Sequence, residues 1–306
     1  MIRGLNLVLS NYCSASCVFC PKDRGQWDHR HMTLSVVEKV VGDAGEFQDT
    51  LKTCQVGENG DALLNYLAMD ILRIIRRGLP RVHVNLTSNF IKMTPNIAKT
   101  LLVERLIDSA QLNVDGHDQR TYEAQKGLSY VRVMNHLRSF VEIRERVWPG
   151  FPLSVNVLTL SKYEAAIRKA FSWPPRQLSL MATPKSDFNK VKDSLSWLPR
   201  DVQLVDSPVF AWAERDLPIT IDPVHYSCPQ YPRVEHEAFI SPSGWLYPCC
   251  LDANQNQRLG NVMEESLGTI WRGELRSEFL RRLRERKYDE IGYPCNRVPF
   301  CQVVTK

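Results

Sequence analysis

The sequence predicts an α/β fold: a partial (β/α)6 TIM-type barrel of parallel strands, followed by a small C-terminal module. Short apolar runs alternate with segments of helical periodicity as far as residue 182. This alternation is typical of a parallel sheet with helices packed on it. Beyond about residue 185 the alternation fades, and six prolines between residues 199 and 232 mark the passage into the module.

The strand–helix units follow one another with short turns. The first helix is the clearest, because Thr33 is a suitable N-cap and apolar residues recur at helical spacing from Val36 to Ala44. The predicted strands cover residues 5–10, 53–56, 82–86, 108–114, 153–160 and 177–182. The predicted helical segments cover residues 33–47, 66–77, 95–104, 118–147 and 163–172. Together they predict a barrel domain over residues 1–205.

A linker and the C-terminal module are predicted over residues 206–306. Two short apolar strands flank Pro242-Ser243-Gly244 and predict a β-hairpin. A basic helix is predicted over residues 275–286. Its arginines alternate with Glu278 and Glu285, which favours a solvated face over contact with nucleic acid.

Composition and charge exclude several classes of protein. The 306 residues contain no apolar run of about 18 residues and begin without a basic segment followed by an apolar one. We therefore expect a cytoplasmic protein with no membrane partner. The net charge of +5 is lower than is typical of a dedicated nucleic-acid binder, and it permits an anionic substrate. Nine cysteines in a reducing compartment indicate metal or redox chemistry rather than disulfides.

Three of these cysteines lie close together, directly after the first predicted strand. Cys13, Cys17 and Cys20 have the spacing Cys-x3-Cys-x2-Cys. Three thiolates on one loop can each bind one iron of a [4Fe-4S] cluster, and no fourth cysteine lies nearby for the last iron. The spacing therefore predicts a cluster with one open iron, where a ligand can bind. A structural zinc site is the alternative, although it needs a fourth protein ligand.

This triad, with the aromatic Phe19 before its last cysteine, resembles that of the radical S-adenosylmethionine (radical SAM) superfamily. The resemblance implies that S-adenosylmethionine (SAM) binds the open iron through its amino and carboxylate groups. It also implies an enzyme in which one electron from the cluster cleaves SAM to a 5′-deoxyadenosyl radical. That radical abstracts a hydrogen atom from the substrate. An electron donor such as flavodoxin or ferredoxin is then required.

Further stretches of the barrel are similar to the family's SAM-binding motifs. Gly60 and Asp61 lie where the family has a glycine-glycine-glutamate-proline segment; Asp61 replaces its glutamate, and Glu58 is the alternative acidic residue. The resemblance implies seven cofactor-binding residues: Phe19, Glu58, Gly60, Asp61, Ser88, Asn113 and Asn156. The alternative is that the acidic residues stabilise a helix N-terminus and that the two asparagines are turn or strand-end residues.

The module resembles the twitch form of the SPASM extension, which occurs in one branch of that superfamily. Its opening matches the pattern Cys228-x15-Gly244-x4-Cys249. The cysteine count implies one auxiliary [4Fe-4S] cluster, with zinc as the alternative. The implied ligands are Cys228, Cys249, Cys295 and Cys301. Cys250 is an alternative to Cys249, a packing thiol, or a catalytic residue that donates a hydrogen atom to the substrate radical.

The resemblance implies a radical SAM oxidoreductase or isomerase. The first predicted strand begins within five residues of Met1, whereas peptide-modifying members often carry an N-terminal recognition domain. This favours a small polar substrate that is oxidised (dehydrogenated), isomerised or epimerised; compact members of similar layout include dehydrogenases of aminocyclitols. The alternatives are crosslinking or epimerisation of a ribosomally made peptide, and modification of a nucleotide or nucleic-acid base.

Overall fold

A computed structural model of the chain describes residues 1–17, 20, 29–159, 187–208, 228 and 230–297. The strands in these ranges are β1 Gly4–Leu7, β2 Thr53–Val56, β3 His83–Ser88, β4 Ser109–Asn113, β5 Leu153–Thr159, β6 Gln203–Pro208, β7 Glu237–Ile240, β8 Trp245–Tyr247 and β9 Gly260–Asn261. The α-helices are α1 Leu34–Ala44, α2 Ala68–Gly78, α3 Pro95–Val103, α4 Gln119–Lys126, α5 Tyr130–Val147, α6 Phe188–Ser194, α7 Tyr231–His236, α8 Leu267–Arg272, α9 Glu274–Arg284 and α10 Tyr288–Ile291.

The described strands form one sheet in the order β6-β5-β4-β3-β2-β1-β7-β8-β9. The first six run parallel and in chain order, and helices connect them, so the predicted α/β partial barrel is confirmed. Thr33 caps α1 as predicted, with its Oγ1 accepting from Val36 N at 3.4 Å. None of the described helices is long and apolar enough to span a membrane.

The module extends the barrel sheet instead of forming a separate one. Its first strand, β7, pairs in parallel with β1, so that Gly4 lies opposite Glu237 and Leu7 opposite Ile240. The predicted hairpin is confirmed, because β7 and β8 are antiparallel and Gly244 N donates to Ser241 O at 3.0 Å across the turn. β1 therefore has a hydrogen-bonded neighbour on both edges.

The sixth of the described strands lies at Gln203–Pro208, where it pairs with β5 over six residues. The sequence pattern predicted a strand at 177–182 and a helix at 163–172, and both fall outside the described residues. Prolines at 199 and 208 made the stretch around β6 look like a linker, but parallel pairing with β5 satisfies its backbone groups. The proposed domain boundary between residues 205 and 206 falls inside this strand.

The parallel strands present an apolar face and a polar face. Cys54, Val84 and Val155 are completely buried, and they belong to the core beneath the helices. The residues that alternate with them, such as Gln55 and Asn85, are half-buried and polar. Because successive strand residues point to opposite faces, the helices cover one face and polar groups line the inner face of the barrel.

Two helical glycines test the packing of α1 against α2. A Cβ added at Gly42 would meet nothing within 4 Å, whereas one added at Gly78 would lie 2.1 Å from Val41 Cγ1. We expect Gly42→Ala to stabilise the fold by about 0.5–1 kcal/mol, because alanine loses less backbone entropy in a helix. Gly78→Ala should lose that gain to the clash. Urea unfolding followed by circular dichroism measures both, and equal stabilisation by the two changes would contradict this packing.

Candidate active site

Loops that follow the first three strands meet at the carboxyl edge of the sheet. The cysteine loop, which carries Cys13, Cys17 and Cys20, follows β1. The glycine loop, residues 57–61, follows β2, and Ser88 ends β3. Asp61 N donates to Tyr12 O at 2.8 Å, which joins the glycine loop to the cysteine loop. In α/β folds this edge is where ligands bind.

The three cysteines of the cysteine loop are half-buried. Cys20 N donates to Cys17 O at 2.9 Å. Asn89 Nδ2, at the end of β3, donates to Cys13 Sγ at 3.6 Å. Phe19 lies outside the described residues.

Close backbone contacts require glycine at two positions of the glycine loop. A Cβ at Gly57 would lie 1.9 Å from Thr87 O, and Gly57 has a φ of +99°. A Cβ at Gly60 would lie 1.9 Å from Ser10 O. Because any larger residue would push these backbones apart, the two glycines hold the loop against β3 and against the start of the cysteine loop.

Asp61 is completely enclosed by protein donors. Its Oδ1 accepts from Leu63 N at 3.0 Å and its Oδ2 from Asn89 N at 3.3 Å. Ser88 Oγ donates to both oxygens at 3.2 Å. Burial raises the pKa of Asp61, and these hydrogen bonds oppose that rise. The carboxyl group thus caps the short helical turn after it and fastens the glycine loop to β3. Asp61 and Ser88 therefore point into the protein and not toward a ligand.

Glu58 points instead to the module. Arg233, on α7, donates from Nη2 to Glu58 Oε1 at 3.1 Å. Burial raises the pKa of Glu58, and the Arg233 guanidinium opposes that rise. The next residue, Asn59, donates from Nδ2 to Tyr247 OH at 3.2 Å. One end of the glycine loop therefore contacts the cysteine loop, and the other contacts the module.

Asn113 and Asn156 lie opposite each other in the parallel register of β4 and β5. Two residues nearer the start of these strands, and on the same face, Gln111 lies opposite Ser154. Within the described part of the chain, Asn113 Oδ1 is buried without a hydrogen-bond partner. By contrast, the inner face of β2 and β3 is internally paired, since Asn85 Nδ2 donates to Gln55 Oε1 at 2.7 Å. The patch on β4 and β5 therefore offers polar groups to a ligand.

A buried ion pair between Asp115 and Lys126 supports the cysteine loop. The sequence patterns did not identify Lys126. Lys126 Nζ lies 2.8 Å from Asp115 Oδ2, and both side chains are inaccessible to solvent. The ammonium also hydrogen-bonds the Cys17 thiol; burial raises the pKa of Cys17, and Lys126 opposes that rise. Burial lowers the pKa of Lys126, but Asp115 and Cys17 together hold it well above its usual value. The available signal was that Tyr122 and Lys126 share one face of α4.

The described cysteines of the module form a second group. Cys228, Cys249, Cys250 and Cys295 pack against an apolar cluster that includes Phe279 and Tyr288. Cys249 Sγ accepts from Leu251 N at 3.2 Å. Cys250 also borders a separate cluster of Val8, Phe239 and Tyr247, which lies toward the barrel. Cys301 lies outside the described residues.

The chemistry of both groups suits iron–sulfur clusters. Among the described residues, no three His, Cys, Asp or Glu side chains are close enough to hold a single metal ion. The thiolates of a cubane cluster each bind a different iron, so they need not converge on one point. Such sites also need hydrogen-bond donors that stabilise sulfur in its anionic form, and Cys13 and Cys17 each have one.

Two family models match the chain. One, for the radical SAM superfamily, matches residues 7–152, and the other, SPASM, for an iron–sulfur cluster-binding domain, matches residues 228–297. These ranges contain the cysteine loop and the second cysteine group. No curated protein matches the chain.

Solved structures of three proteins share the fold along nearly the whole chain. BtrN in complex with AdoMet and 2-DOIA has a TM-score of 0.59 at 14% identity, covering 98% of this chain and 92% of BtrN. Native anSMEcpe with bound AdoMet and Cp18Cys peptide has a TM-score of 0.62 at 13% identity, covering 100% and 91%. Streptococcus suis SuiB bound to precursor peptide SuiA has a TM-score of 0.59 at 15% identity, covering 92% and 67%.

At these identities the solved structures show the fold alone, and the two family models carry the assignment. They match both the barrel sequence and the module sequence, in the order in which the structure joins them through β1 and β7. The chain therefore belongs to the radical SAM superfamily, in the branch that carries a SPASM iron–sulfur domain.

Proposed function

We propose that this enzyme abstracts a hydrogen atom from a small polar substrate and oxidises, isomerises or epimerises it. Its family implies a [4Fe-4S] cluster and SAM, and the SPASM domain suggests auxiliary clusters. When bound, the reduced cluster and SAM supply the 5′-deoxyadenosyl radical that takes the hydrogen atom. The observation that carries the proposal is that Asn113 and Asn156 lie opposite each other on the inner face of the barrel, with Asn113 Oδ1 buried and, among the described residues, without a hydrogen-bond partner.

Cys13, Cys17 and Cys20 would hold the cluster with the open iron. Asn89 and Lys126 stabilise the thiolates of this loop, because an N–H donor and a cation both favour anionic sulfur.

The glycine loop and its neighbours would bind SAM. The backbone of Gly60 lies at the carboxyl edge of the sheet. Asp61 and Ser88 fix that backbone through their mutual hydrogen bonds. Asn113 and Asn156 offer amide groups from the adjacent strands. In this arrangement Asp61 and Ser88 act by positioning the loop, while Gly60 and the asparagines face the ligand. Glu58 acts from the other end of the loop through Arg233, and Phe19 remains a proposed contact.

The inner face of the barrel supports a polar substrate. Gln111 and Ser154 lie two residues before Asn113 and Asn156 on their strands, and all four side chains are half-buried. Leaving such groups unpaired in a closed site is costly, so a ligand rich in hydroxyl or amino groups is favoured over an apolar one. These residues would orient the C–H bond that reacts.

The module would accept an electron from the substrate. We assign Cys228, Cys249, Cys295 and Cys301 as ligands of an auxiliary [4Fe-4S] cluster, and Cys250 as the thiol that faces the barrel. Loss of a hydrogen atom, then of a proton and an electron, oxidises an alcohol to a carbonyl group. A hydrogen atom returned from Cys250 to the opposite face of the carbon would instead give epimerisation, and the resulting thiyl radical would return to the thiol by taking an electron from the external donor and a proton from solvent. A flavodoxin or ferredoxin would supply the electron that starts the reaction.

Modification of a ribosomally made peptide is the second candidate. Native anSMEcpe and SuiB share this fold and are seen with peptides bound. The same polar inner face would pair with the backbone of an extended peptide. Modification of a nucleotide or nucleic-acid base has only the net charge of +5 in its favour.

We expect Cys13→Ala, Cys17→Ala and Cys20→Ala each to abolish the release of 5′-deoxyadenosine, because each removes one ligand of the first cluster. The measurement is anaerobic reconstitution with iron and sulfide, followed by incubation with SAM and dithionite. Cys54→Ala is the matched control, since Cys54 is completely buried in β2 and its thiol serves packing. Release of 5′-deoxyadenosine by any triad variant would refute the assignment.

Iron analysis tests the auxiliary cluster. The parent enzyme should bind about eight irons per chain, and Cys228→Ala or Cys301→Ala should bind about four and still cleave SAM. Cys250→Ala should keep about eight irons, because we assign Cys249 as the ligand. A parent value of about four would rule out the auxiliary cluster, and loss of iron in the Cys250 variant would reverse the assignment of the two neighbouring cysteines.

The substrate class can be tested by isotope transfer. We expect carbon-deuterated aminocyclitols or related polyhydroxylated amines to deliver deuterium to 5′-deoxyadenosine, since the abstracted atom ends there. Gln111→Leu should raise KM for such a substrate roughly tenfold by removing a polar contact. Deuterium delivered only by peptides would favour the second candidate.

A further inference from the structure

Arg233 joins the barrel and the module through every part of its guanidinium. Nε donates to Glu237 at 2.9 Å, and Nη2 donates to Glu58 at 3.1 Å. Nη2 also reaches Asn6 Oδ1 at 3.3 Å, and Nη1 lies 3.6 Å from Cys250 Sγ. Such a set of contacts needs arginine, because the guanidinium spreads its donors over three nitrogens, whereas a lysine ammonium has all its donors on one nitrogen.

The two ends of this network lie in the two proposed cofactor sites. Glu58 is the second residue of the glycine loop, and Asp61 at the other end of that loop is hydrogen-bonded to Tyr12 beside Cys13. Cys250 adjoins Cys249, a proposed ligand of the auxiliary cluster. Arg233 thus connects the SAM-binding loop to the auxiliary cysteines through side chains alone.

The position of Arg233 depends on the auxiliary cysteines. Helix α7, which carries Arg233, begins where Tyr231 N donates to Cys228 O at 3.1 Å. Fixing Cys228 on a cluster therefore fixes the first turn of α7. Without Arg233 the carboxylates of Glu58 and Glu237 would face each other without the cation between them, and their repulsion would displace the glycine loop.

We propose that Arg233 is a positioning residue that couples the auxiliary cluster to SAM binding. A filled auxiliary site holds α7, Arg233 then holds Glu58, and the glycine loop is ready for SAM. This inference rests on the proposed function, and it adds that SAM binds more tightly when the auxiliary site is filled.

The first experiment compares two arginines that link the module to the barrel. Arg233→Met removes the network, and Arg272→Met is the matched control, because Arg272 pairs with Glu46 on the exposed surface near α1. Equilibrium dialysis of SAM against the reconstituted enzymes should show about tenfold weaker binding for Arg233→Met and parent-like binding for Arg272→Met. Glu58→Gln should weaken binding in the same direction as Arg233→Met.

The second experiment measures the coupling itself. Cys228→Ala should weaken SAM binding about tenfold in the parent background and not further in the Arg233→Met background. Cys295→Ala repeats the test in case Cys228→Ala fails to fold. Additive effects would overturn the coupling.

The outcomes also separate this inference from the proposed function. A parent enzyme with both clusters that binds no SAM would refute the proposed function. A parent that binds SAM as tightly as Arg233→Met would leave the proposed function standing and overturn the inference.

Discussion

The two-sided pairing of β1 is the constraint on which the rest of the structure depends. β1 is hydrogen-bonded to β2 on one edge and to β7 on the other, in parallel register on both. The cysteine loop leaves the carboxyl end of β1. Because β8 runs antiparallel to β7, Cys249 and Cys250 follow β8 toward the amino end of β7. A strand paired on one side only would have left the module free to sit elsewhere, and Arg233 would not reach both Glu58 and Cys250.

Asp61, Asp115 and Lys126 are buried near the carboxyl edge of the sheet, and each has charged or polar partners. Asp115 and Lys126 are both inaccessible and pair with each other, because the desolvation of either alone would cost several kcal/mol. The buried carboxyl group of Asp61 is stabilised instead by hydrogen bonds from Leu63, Ser88 and Asn89. These saturated groups fix loops. Among the described residues, the backbone of the glycine loop and the amides on β4 and β5 are available to a ligand.

Backbone approach decides how closely the loops pack. Gly57 and Gly60 each bring the glycine loop to within a distance at which a Cβ would clash with a neighbouring carbonyl oxygen. This contact fastens the loop to the barrel at one end, while Glu58 and Asn59 fasten it to the module. The position of the glycine loop therefore depends on both the barrel and the module. This dependence is the physical basis of the proposed coupling through Arg233.

The sequence by itself determined the elements whose signal is local. The spacing of Cys13, Cys17 and Cys20, the cap at Thr33 and the alternation of strands and helices follow from neighbours a few residues apart. The tertiary structure alone decided which distant residues meet. The hydrogen bond between Asn6 and Glu237 joins residues 231 apart, and β6 looks like linker until β5 lies beside it. Lys126 was missed for the same reason, since its partners Asp115 and Cys17 come from other loops. Periodicity encodes which face of an element is buried, but long-range pairing depends on packing the whole chain, and no local pattern specifies it.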